Sequence, residues 1–195
     1  MSVAVDFRET PRARAKADRR RVLLDTAARL FAERGFDRVS MEDLGSAAGV
    51  SGPAVFRLFP GKQSVLAALL IDVSQGLLDG GARVIDEAED APATLRALIT
   101  FHVAFALANT DVIRVQDRDL ESLGSPDQHR VRTLHCSYVS LWVSVLARLD
   151  PDAEVAELRV KSHATFGLIN STPHSGHCAA TGQIRETMAG AGLHP

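Results

Sequence analysis

Two cations and a run of very short residues lie close together in the segment AAGVSGPAVFRLFPGK, which extends from Ala47 to Lys62. Arg57 carries a planar guanidinium group that can bind a guanine edge or a phosphate through two parallel hydrogen bonds. Lys62 begins the next helix, so its charge and the free N–H groups of that first turn both face anions. The segment therefore indicates recognition of a polyanion.

A short helix has to present these groups. It is predicted to start after Ser51 and to stop at Pro60–Gly61, which leaves only about two turns. A helix of that length is not stable alone in water and must be held by its neighbours. Because most of its outward residues are short, its backbone can approach base edges closely. The predicted outward residues are Ser51, Gly52, Pro53, Ala54 and Arg57.

The preceding helix carries its own start and stop signals. Ser40 and Asp43 form a capping pair that opens Met41–Ala48, and Gly49 ends it. Ser51 can then cap the short helix. A helix, a tight glycine turn and a second helix make up a helix-turn-helix, whose second helix enters the major groove of DNA. The apolar residues predicted to hold it together are Leu30, Phe31, Leu44, Ala47, Val50, Val55 and Phe59.

Almost the whole chain is predicted to be helical, because apolar residues recur at spacings of three and four. The predicted helices cover 17–34, 41–48, 52–59, 62–89, 92–109, 111–123, 127–149, 153–172 and 182–189. No stretch alternates apolar and polar residues as a strand would. The predicted fold class is all-α, with a disordered basic arm over 1–17, a three-helix domain over 18–62 and a helical domain over 63–195.

Charge divides unevenly between these parts, although the net charge is only −2. Residues 1–62 hold 12 basic and 8 acidic side chains, whereas residues 63–195 hold 10 and 16. The basic excess is sharpest over Arg8–Arg21, with seven basic and two acidic residues. This distribution indicates that only the N-terminal part meets a polyanion, although a solvated basic tail would have the same composition.

Several function classes are not indicated. Cys136 and Cys178 match neither a disulfide framework nor a Cys-x-x-Cys metal site, which suits a reducing compartment. No apolar signal core is present, and no run approaches the roughly 20 apolar residues of a membrane span. We therefore expect a cytoplasmic protein with no membrane partner. No phosphate-binding glycine loop, nucleophile elbow or paired carboxylate indicates an enzyme, and no cofactor is expected.

The segment LLDTAARLFAERGFDRVSMEDLGSAAGVSGPAVFRLFPGKQSVLAALL resembles the N-terminal domain of TetR/AcrR-type transcriptional regulators, and the resemblance covers Arg19–Leu70. The residues in family order and spacing are Ala27, Leu30, Phe31, Gly35, Val39, Ser40, Leu44, Ala47, Ala48, Gly49, Val50, Ser51, Phe59, Lys62 and Leu66. The resemblance implies an all-helical homodimer. Its three short helices would bind DNA, and its C-terminal domain would hold a ligand pocket and the dimer interface.

The DNA-binding residues expected from the helix-turn-helix, the basic arm and the resemblance form one set. They are Arg19, Arg20, Arg21, Ser40, Ser51, Gly52, Pro53, Ala54, Phe56, Arg57 and Lys62. Phe56 stands where the family usually has a tyrosine, Leu58 where Tyr or His is common, and Gly52 where lysine often lies. Losing one hydroxyl contact to a phosphate costs about 1.5–3 kcal/mol. Phe56 also has a second interpretation, as an aromatic residue of the core.

Polar residues on apolar helix faces point to a cavity in the C-terminal domain, because such groups need partners if they are buried. The candidate ligand residues are His102, Asn109, Tyr138 and Trp142. The eighth predicted helix adds the row His163, Gly167, Asn170 and His174, in which the glycine permits close approach. Hydrogen-bonded core residues would give the same pattern. Arg114 or Arg118 could hold an acidic head group if the pocket opens beside them.

The resulting hypothesis is a ligand-responsive repressor that a small hydrophobic or amphipathic effector releases from a palindromic operator in double-stranded DNA. A second copy would bind through the last two helices. The candidate seam is Val155, Leu158, Ser162, Phe166 and Ile169. One alternative is a helical dimeric interaction protein with weakened DNA binding. The other is a metal-responsive regulator using His163, His174, His177 and Cys178, whose spacing matches no standard zinc pattern.

Overall fold

The computed structural model describes residues 10–175, and every regular element in that range is helical. The helices are α1 (Pro11–Arg34), α2 (Met41–Ala48), α3 (Gly52–Leu58), α4 (Lys62–Glu87), α5 (Ala91–Ala108), α6 (Thr110–Asp119), α7 (Ser125–Leu149) and α8 (Val155–Ser175). A short 3-10 turn, Leu120–Ser122, follows α6. The all-α prediction is confirmed. The ninth predicted helix, over 182–189, lies outside the described residues.

The first helix is longer than the sequence analysis predicted. It begins at Pro11 rather than near Ala17, because the hydroxyl oxygen of Thr10 accepts a hydrogen bond from the backbone N–H of Ala13 at 3.2 Å. Proline suits the first helical position, where its missing N–H leaves nothing unsatisfied. The prediction of a disordered arm is therefore wrong over residues 11–17, which are helical.

The helices form two units, and the division falls within α4, between Leu69 and Leu70. The Pro60–Gly61 break predicts a boundary at Lys62. Val65, Leu66 and Leu69 are buried, however, and belong to the first unit. The structural division therefore lies about two helical turns further along the chain.

The first unit contains a small apolar core. Its fully buried side chains include Leu23, Ala27, Leu30, Phe31, Val39, Leu44, Val55 and Leu66. Leu30, Phe31, Leu44, Val55 and Phe59 are buried as predicted. Ala47 is exposed and Val50 is half-buried, so the prediction that these two are core residues is wrong. Both lie beside the turn at Gly49, where the chain reaches the surface.

The capping pair that the sequence indicated is present at the start of α2. The hydroxyl oxygen of Ser40 accepts a hydrogen bond from the backbone N–H of Asp43 at 3.0 Å, and the Asp43 carboxylate accepts one from the backbone N–H of Ser40 at 2.9 Å. These bonds hold the pKa of Asp43 below its usual value. At the other end, Gly49 adopts the left-handed conformation, with φ of 65°. The boundaries of α2 are therefore set locally.

A close contact between α2 and the turn to α3 depends on Gly45. A Cβ atom at this position would lie 2.9 Å from the backbone oxygen of Val50 and 3.0 Å from the Val55 side chain. A hydrogen bond also joins the two segments here, since the N–H of Val50 donates to the backbone oxygen of Gly45 at 2.9 Å. The absence of a side chain thus allows the turn to fold tightly against α2.

The second unit is built around an aromatic cluster that α5, α7 and α8 share. It consists of His102, Tyr138, Trp142 and Phe166. The Phe166 ring lies 5.0 Å from that of Trp142 and 5.4 Å from that of Tyr138, within the usual range for aromatic pairs. α4 passes the cluster at Gly81, where a Cβ atom would lie 2.6 Å from the Tyr138 ring. These contacts fix the position of the Tyr138 ring.

Two helices are more apolar than expected, since the sequence suggested no segment that approaches a membrane span. α4 and α5 are long and apolar enough, by length and composition alone, to cross a membrane. The core helices of water-exposed proteins pass the same test, and α5 contributes Leu95, Leu98 and His102 to the interior of the second unit. The apolar residues of α5 are thus accounted for by packing within the fold.

Replacing Gly45 with alanine should destabilise the first unit by about 1–3 kcal/mol, because the new methyl group would overlap backbone that cannot easily move. Urea unfolding followed by circular dichroism measures the effect. The control is Gly76→Ala in α4, where a Cβ atom meets nothing within 4 Å. That change should be neutral or stabilise the helix by up to about 1 kcal/mol. Equal unfolding midpoints for the two variants would contradict the proposed close contact.

Candidate DNA-binding surface and ligand cavity

The outward face of α3 presents the residues that the sequence analysis predicted. Ser51, Gly52, Pro53 and Arg57 are exposed, and Ala54 is half-buried. Val55 is fully buried on the opposite side and holds the helix to the unit. Apart from Arg57, the residues of this face have short side chains. The backbone of α3 can therefore approach a nucleic acid closely.

Ser51 precedes α3 but does not cap it with its side chain. The next N–H that its hydroxyl could reach belongs to Ala54, which already donates to the backbone oxygen of Ser51 at 2.8 Å. Pro53 has no N–H to offer. The prediction that Ser51 caps the helix is therefore wrong, and its exposed hydroxyl group stays available for another partner.

Phe56 is exposed over 51% of its surface, so its interpretation as a core residue is wrong. It lies on α3 between the buried Val55 and the exposed Arg57. An exposed phenylalanine gives this helix an apolar contact group in place of a hydroxyl donor.

A basic groove lies between the start of α1 and the face of α3, and four cations line it. They are Arg12, Lys16, Arg19 and Arg57. The three on α1 follow one another at spacings of four and three, so they occupy one side of that helix. Asp18 is the one acidic residue in the lining, and it pairs with Arg21 at 3.6 Å. The groove therefore carries a net positive charge.

The remaining basic residues of α1 do not line this groove. Arg14 and Arg21 lie on other sides of α1, and both are exposed. The guanidinium of Arg20 lies 5.6 Å from the centre of the Phe59 ring, which is a cation–π contact. Of the three α1 arginines expected to bind DNA, only Arg19 thus lies in the groove. Arg12 also lines the groove, although it was not among the residues predicted to bind DNA.

Lys62 and Ser40 are both engaged in holding the first unit together. The Lys62 ammonium donates to the backbone oxygens of Phe36 at 2.8 Å and Asp37 at 3.2 Å. It also lies 4.3 Å from the centre of the Phe36 ring. The Ser40 hydroxyl donates to the Asp43 carboxylate at 2.7 Å, so its one proton is used within the capping box. Both side chains remain near the surface, but each already donates hydrogen bonds within the first unit.

The second unit contains a cavity of about 310 Å³. Its polar lining consists of Ser74, His102, Gln116, His135, Tyr138, His163 and Asn170, and its apolar lining includes Leu77, Phe105, Val112, Ile113, Val139 and Phe166. This combination of an apolar wall with a few polar groups is typical of small-molecule sites, and the volume is at the lower end of their range.

A chain of hydrogen bonds crosses one wall of the cavity. The Tyr138 hydroxyl lies 3.2 Å from Nδ1 of His102, and Nε2 of His102 lies 3.3 Å from Oδ1 of Asn170. Burial lowers the pKa of His102 to about 4 and raises that of Tyr138, so both side chains are uncharged at neutral pH. On another wall, Nε2 of His135 lies 3.0 Å from the Ser74 hydroxyl, and burial lowers the pKa of His135 as well.

Two of the four predicted ligand residues line the cavity and two do not. His102 and Tyr138 belong to its wall. Trp142 is buried behind them, against the rings of His102 and Phe166, and its indole N–H has no hydrogen-bond partner among the described residues. The amide of Asn109 donates to the backbone oxygen of Phe105 at 2.8 Å, at the end of α5. The prediction that Trp142 and Asn109 face the pocket is therefore not supported by the geometry.

The cavity lining includes residues beyond the candidate ligand set. The spacing groups His163, Gly167 and Asn170 in one row on the eighth predicted helix, and all three line the cavity. Ser74 and His135 gave no such signal, because a single serine or histidine on a helix is common. Only the packing of α4 against α7 brings this pair together, at 3.0 Å.

The described residues support neither the binding of an acidic head group by Arg114 or Arg118 nor a metal site. Arg118 pairs with the buried Asp119 at 2.8 Å and, like Arg114, is not part of the cavity wall. No group of three His, Cys, Asp or Glu side chains in the described part of the chain could hold a metal ion. His177 and Cys178 lie outside the described residues, as does the side chain of His174.

The predicted dimer seam on α8 faces the interior of its own unit. Leu158, Ser162 and Ile169 are fully buried, and Phe166 belongs to the aromatic cluster. Only Val155 of that row is exposed. The apolar residues on the outer face of α8 are instead Val160 and Leu168, which are exposed over 67% and 53% of their surface. The seam was wrong because both sides of α8 carry apolar residues, and spacing alone does not say which side faces inward.

Two family models match the chain. The one described as bacterial regulatory proteins, tetR family, covers residues 23–69, and the one described as tetracyclin repressor-like, C-terminal domain, covers residues 88–174. Together they cover well over half of the chain, including α2, α3 and most of the helices that form the cavity.

Known proteins with similar sequences or folds agree with these matches. The HTH-type transcriptional repressor KstR2 of Rhodococcus jostii is 28% identical over 150 residues, which are 72% of this chain and 74% of that protein. The TetR family regulator PfmR of Thermus thermophilus has a TM-score of 0.74 and 21% identity, over 95% of this chain and 98% of that one. The regulator FadR of Bacillus subtilis, solved in complex with stearoyl-CoA, has a TM-score of 0.70 and 14% identity, over 89% of this chain and 99% of that one. The chain therefore belongs to the TetR family of bacterial regulatory proteins, and these comparisons support a DNA-binding transcriptional regulator rather than an enzyme.

Proposed function

We propose that this regulator is a ligand-responsive repressor. It binds a palindromic operator as a cytoplasmic homodimer and leaves the operator when a small hydrophobic or amphipathic effector occupies the cavity of the second unit. The repressor role is supported by the name of the R. jostii relative, and the ligand response by the FadR complex with stearoyl-CoA. The cavity of about 310 Å³ supplies a place for such a molecule.

The observation that supports operator binding most directly is the basic groove beside α3. Arg57 and the short residues before it would enter the major groove, where the guanidinium can bind the O6 and N7 atoms of guanine. Phe56 lacks the hydroxyl donor that the family pattern places there and would instead make an apolar contact, such as with a thymine methyl group. Arg12, Lys16 and Arg19 would bind the phosphates that flank this contact.

The switch is a shift between two populations of the dimer. Recognition helices must lie about 34–36 Å apart to enter successive major grooves, so a dimer with another spacing does not bind. An effector that binds the released form better by several kcal/mol drives the protein into that form. α4 supplies Ser74 and Leu77 to the cavity wall, which makes this helix the candidate moving element.

The first prediction concerns Arg57. Arg57→Ala should weaken binding to DNA that flanks the gene by about 10- to 100-fold and relax base preference at one position of each half-site, because a bidentate base contact contributes about 1–3 kcal/mol. Fluorescence anisotropy with operator and random DNA measures both effects. If the wild-type protein bound operator no better than random DNA at any salt concentration, the alternative of an interaction protein with weakened DNA binding would be favoured.

The second prediction separates the two sides of α1. Arg12→Ala and Lys16→Ala should each lower the slope of log affinity against log salt by about 0.9, the value for one lost phosphate contact. The control is Arg14→Ala, which removes the same charge from an exposed position outside the groove and should change the slope little. Equal losses in all three variants would indicate that overall charge, rather than the groove, determines DNA affinity.

The third prediction concerns the dimer. A glutamate at the exposed position 160 on α8 should disrupt an apolar interface between two copies, because burying an unpaired carboxylate is costly. Val160→Glu should therefore shift the mass towards the 21.0 kDa of one chain, as measured by sedimentation equilibrium. Ala104→Glu, at an exposed position on α5, should leave the dimer intact. A Val160→Glu variant that stays dimeric would place the interface elsewhere.

A further inference from the structure

The wall of the cavity carries no permanently charged side chain among the described residues. Lys, Arg, Asp and Glu are all missing from its lining. Three histidines contribute instead. Burial keeps His102 and His135 neutral at physiological pH, whereas His163 is exposed on α8. A ligand with a full charge would therefore find no fixed counter-charge in this wall.

With Oδ1 of Asn170 facing His102, the hydrogen-bond chain on the wall runs in one direction. Oδ1 of Asn170 can only accept, so Nε2 of His102 must carry the ring proton. Nδ1 of the neutral His102 ring is then an acceptor, and the Tyr138 hydroxyl donates to it. This leaves the NH2 group of Asn170 without a partner among the described residues. In this arrangement the two N–H donors of the Asn170 amide are left for a ligand.

The position of Asn170 allows a ligand to reach those donors. Gly167 precedes it by one helical turn and also lines the cavity, and a Cβ atom there would meet nothing within 4 Å. The space beside Asn170 is therefore open. α6 contributes Val112, Ile113 and the uncharged polar Gln116 to the lining.

We propose that the effector is an uncharged, mainly apolar molecule whose single polar end is a hydrogen-bond acceptor, such as a ketone carbonyl, bound by the NH2 group of Asn170. This inference rests on the proposed effector role of the cavity and narrows it to one class of ligand. A carboxylate or phosphate would lose its hydration without gaining a cationic partner from the wall, and an ammonium group would find no carboxylate. A carbonyl oxygen needs only the donor that Asn170 offers.

Three ten-carbon probes that differ only in their polar end test the ligand class. They are 2-decanone, decanoate and decylamine. Titrations followed by the fluorescence of Trp142, the single tryptophan of the chain, should be made at about pH 8, where decanoate and decylamine both carry a full charge. We expect 2-decanone to bind at least about tenfold more tightly than either charged probe. Equal or tighter binding of decanoate or decylamine, or no binding of 2-decanone, would overturn the proposal.

A pair of matched variants tests the role of the amide. Asn170→Asp replaces the donor with a carboxylate of the same shape and should weaken 2-decanone binding by about tenfold or more. Gln63→Glu makes the matching change from amide to carboxylate in the first unit, outside the cavity, and should leave binding unchanged. Equal affinities in the two variants would remove Asn170 from the site. If Asn170→Asp does not fold, the comparison of the three probes on the wild-type protein still decides the ligand class.

The effector role is measured separately, as release of DNA when 2-decanone is added. Binding of 2-decanone without any binding to DNA would contradict the proposed repressor function and leave the ligand class intact. Tight DNA binding together with a preference for decanoate would do the reverse.

Discussion

In the first unit, one ammonium group is held by backbone oxygens and an aromatic ring instead of by water. The ammonium group of Lys62, at the first position of α4, is held by the backbone oxygens of Phe36 and Asp37 and by the ring of Phe36. It therefore ties the start of α4 to the turn that joins α1 to α2. A seven-residue helix such as α3 has too few hydrogen bonds to persist alone. Because α3 lies between α2 and α4 in the chain, this link between the start of α4 and the α1–α2 turn helps to hold α3 and its exposed Arg57 in place.

The two candidate sites use opposite electrostatics, and each suits its proposed partner. The groove between α1 and α3 collects cations at the surface, where water and salt screen them and a polyanion can release its counterions. The cavity of the second unit excludes fixed charge and relies on a directed chain of neutral groups through Tyr138, His102 and Asn170. The groove would therefore bind DNA mainly through electrostatic attraction, and the cavity would bind the proposed small effector mainly through directed hydrogen bonds.

Much of the fold could be predicted from the sequence, because local signals determine it. The capping box at Ser40 and the left-handed Gly49 identify the helix-turn-helix without any tertiary information. The sites were predicted less well, since they depend on which side of a long helix faces inward. α8 is apolar on both sides, so its inward residues could not be separated from the exposed Val160 and Leu168. Ser74 and His135 are 61 positions apart, and no spacing rule connects them.

The tight contact at Gly45 has a consequence for how such a regulator can diverge. Gly45 and Val55 fix the position of α3, whereas most of the residues on its outward face contact little within their own unit. After gene duplication, substitutions on that face can change the preferred operator at almost constant stability, because the frame does not depend on them. New binding specificities are then accessible through single steps, each of which leaves a folded and testable protein. Selection can thus act on DNA sequence preference separately from selection on folding.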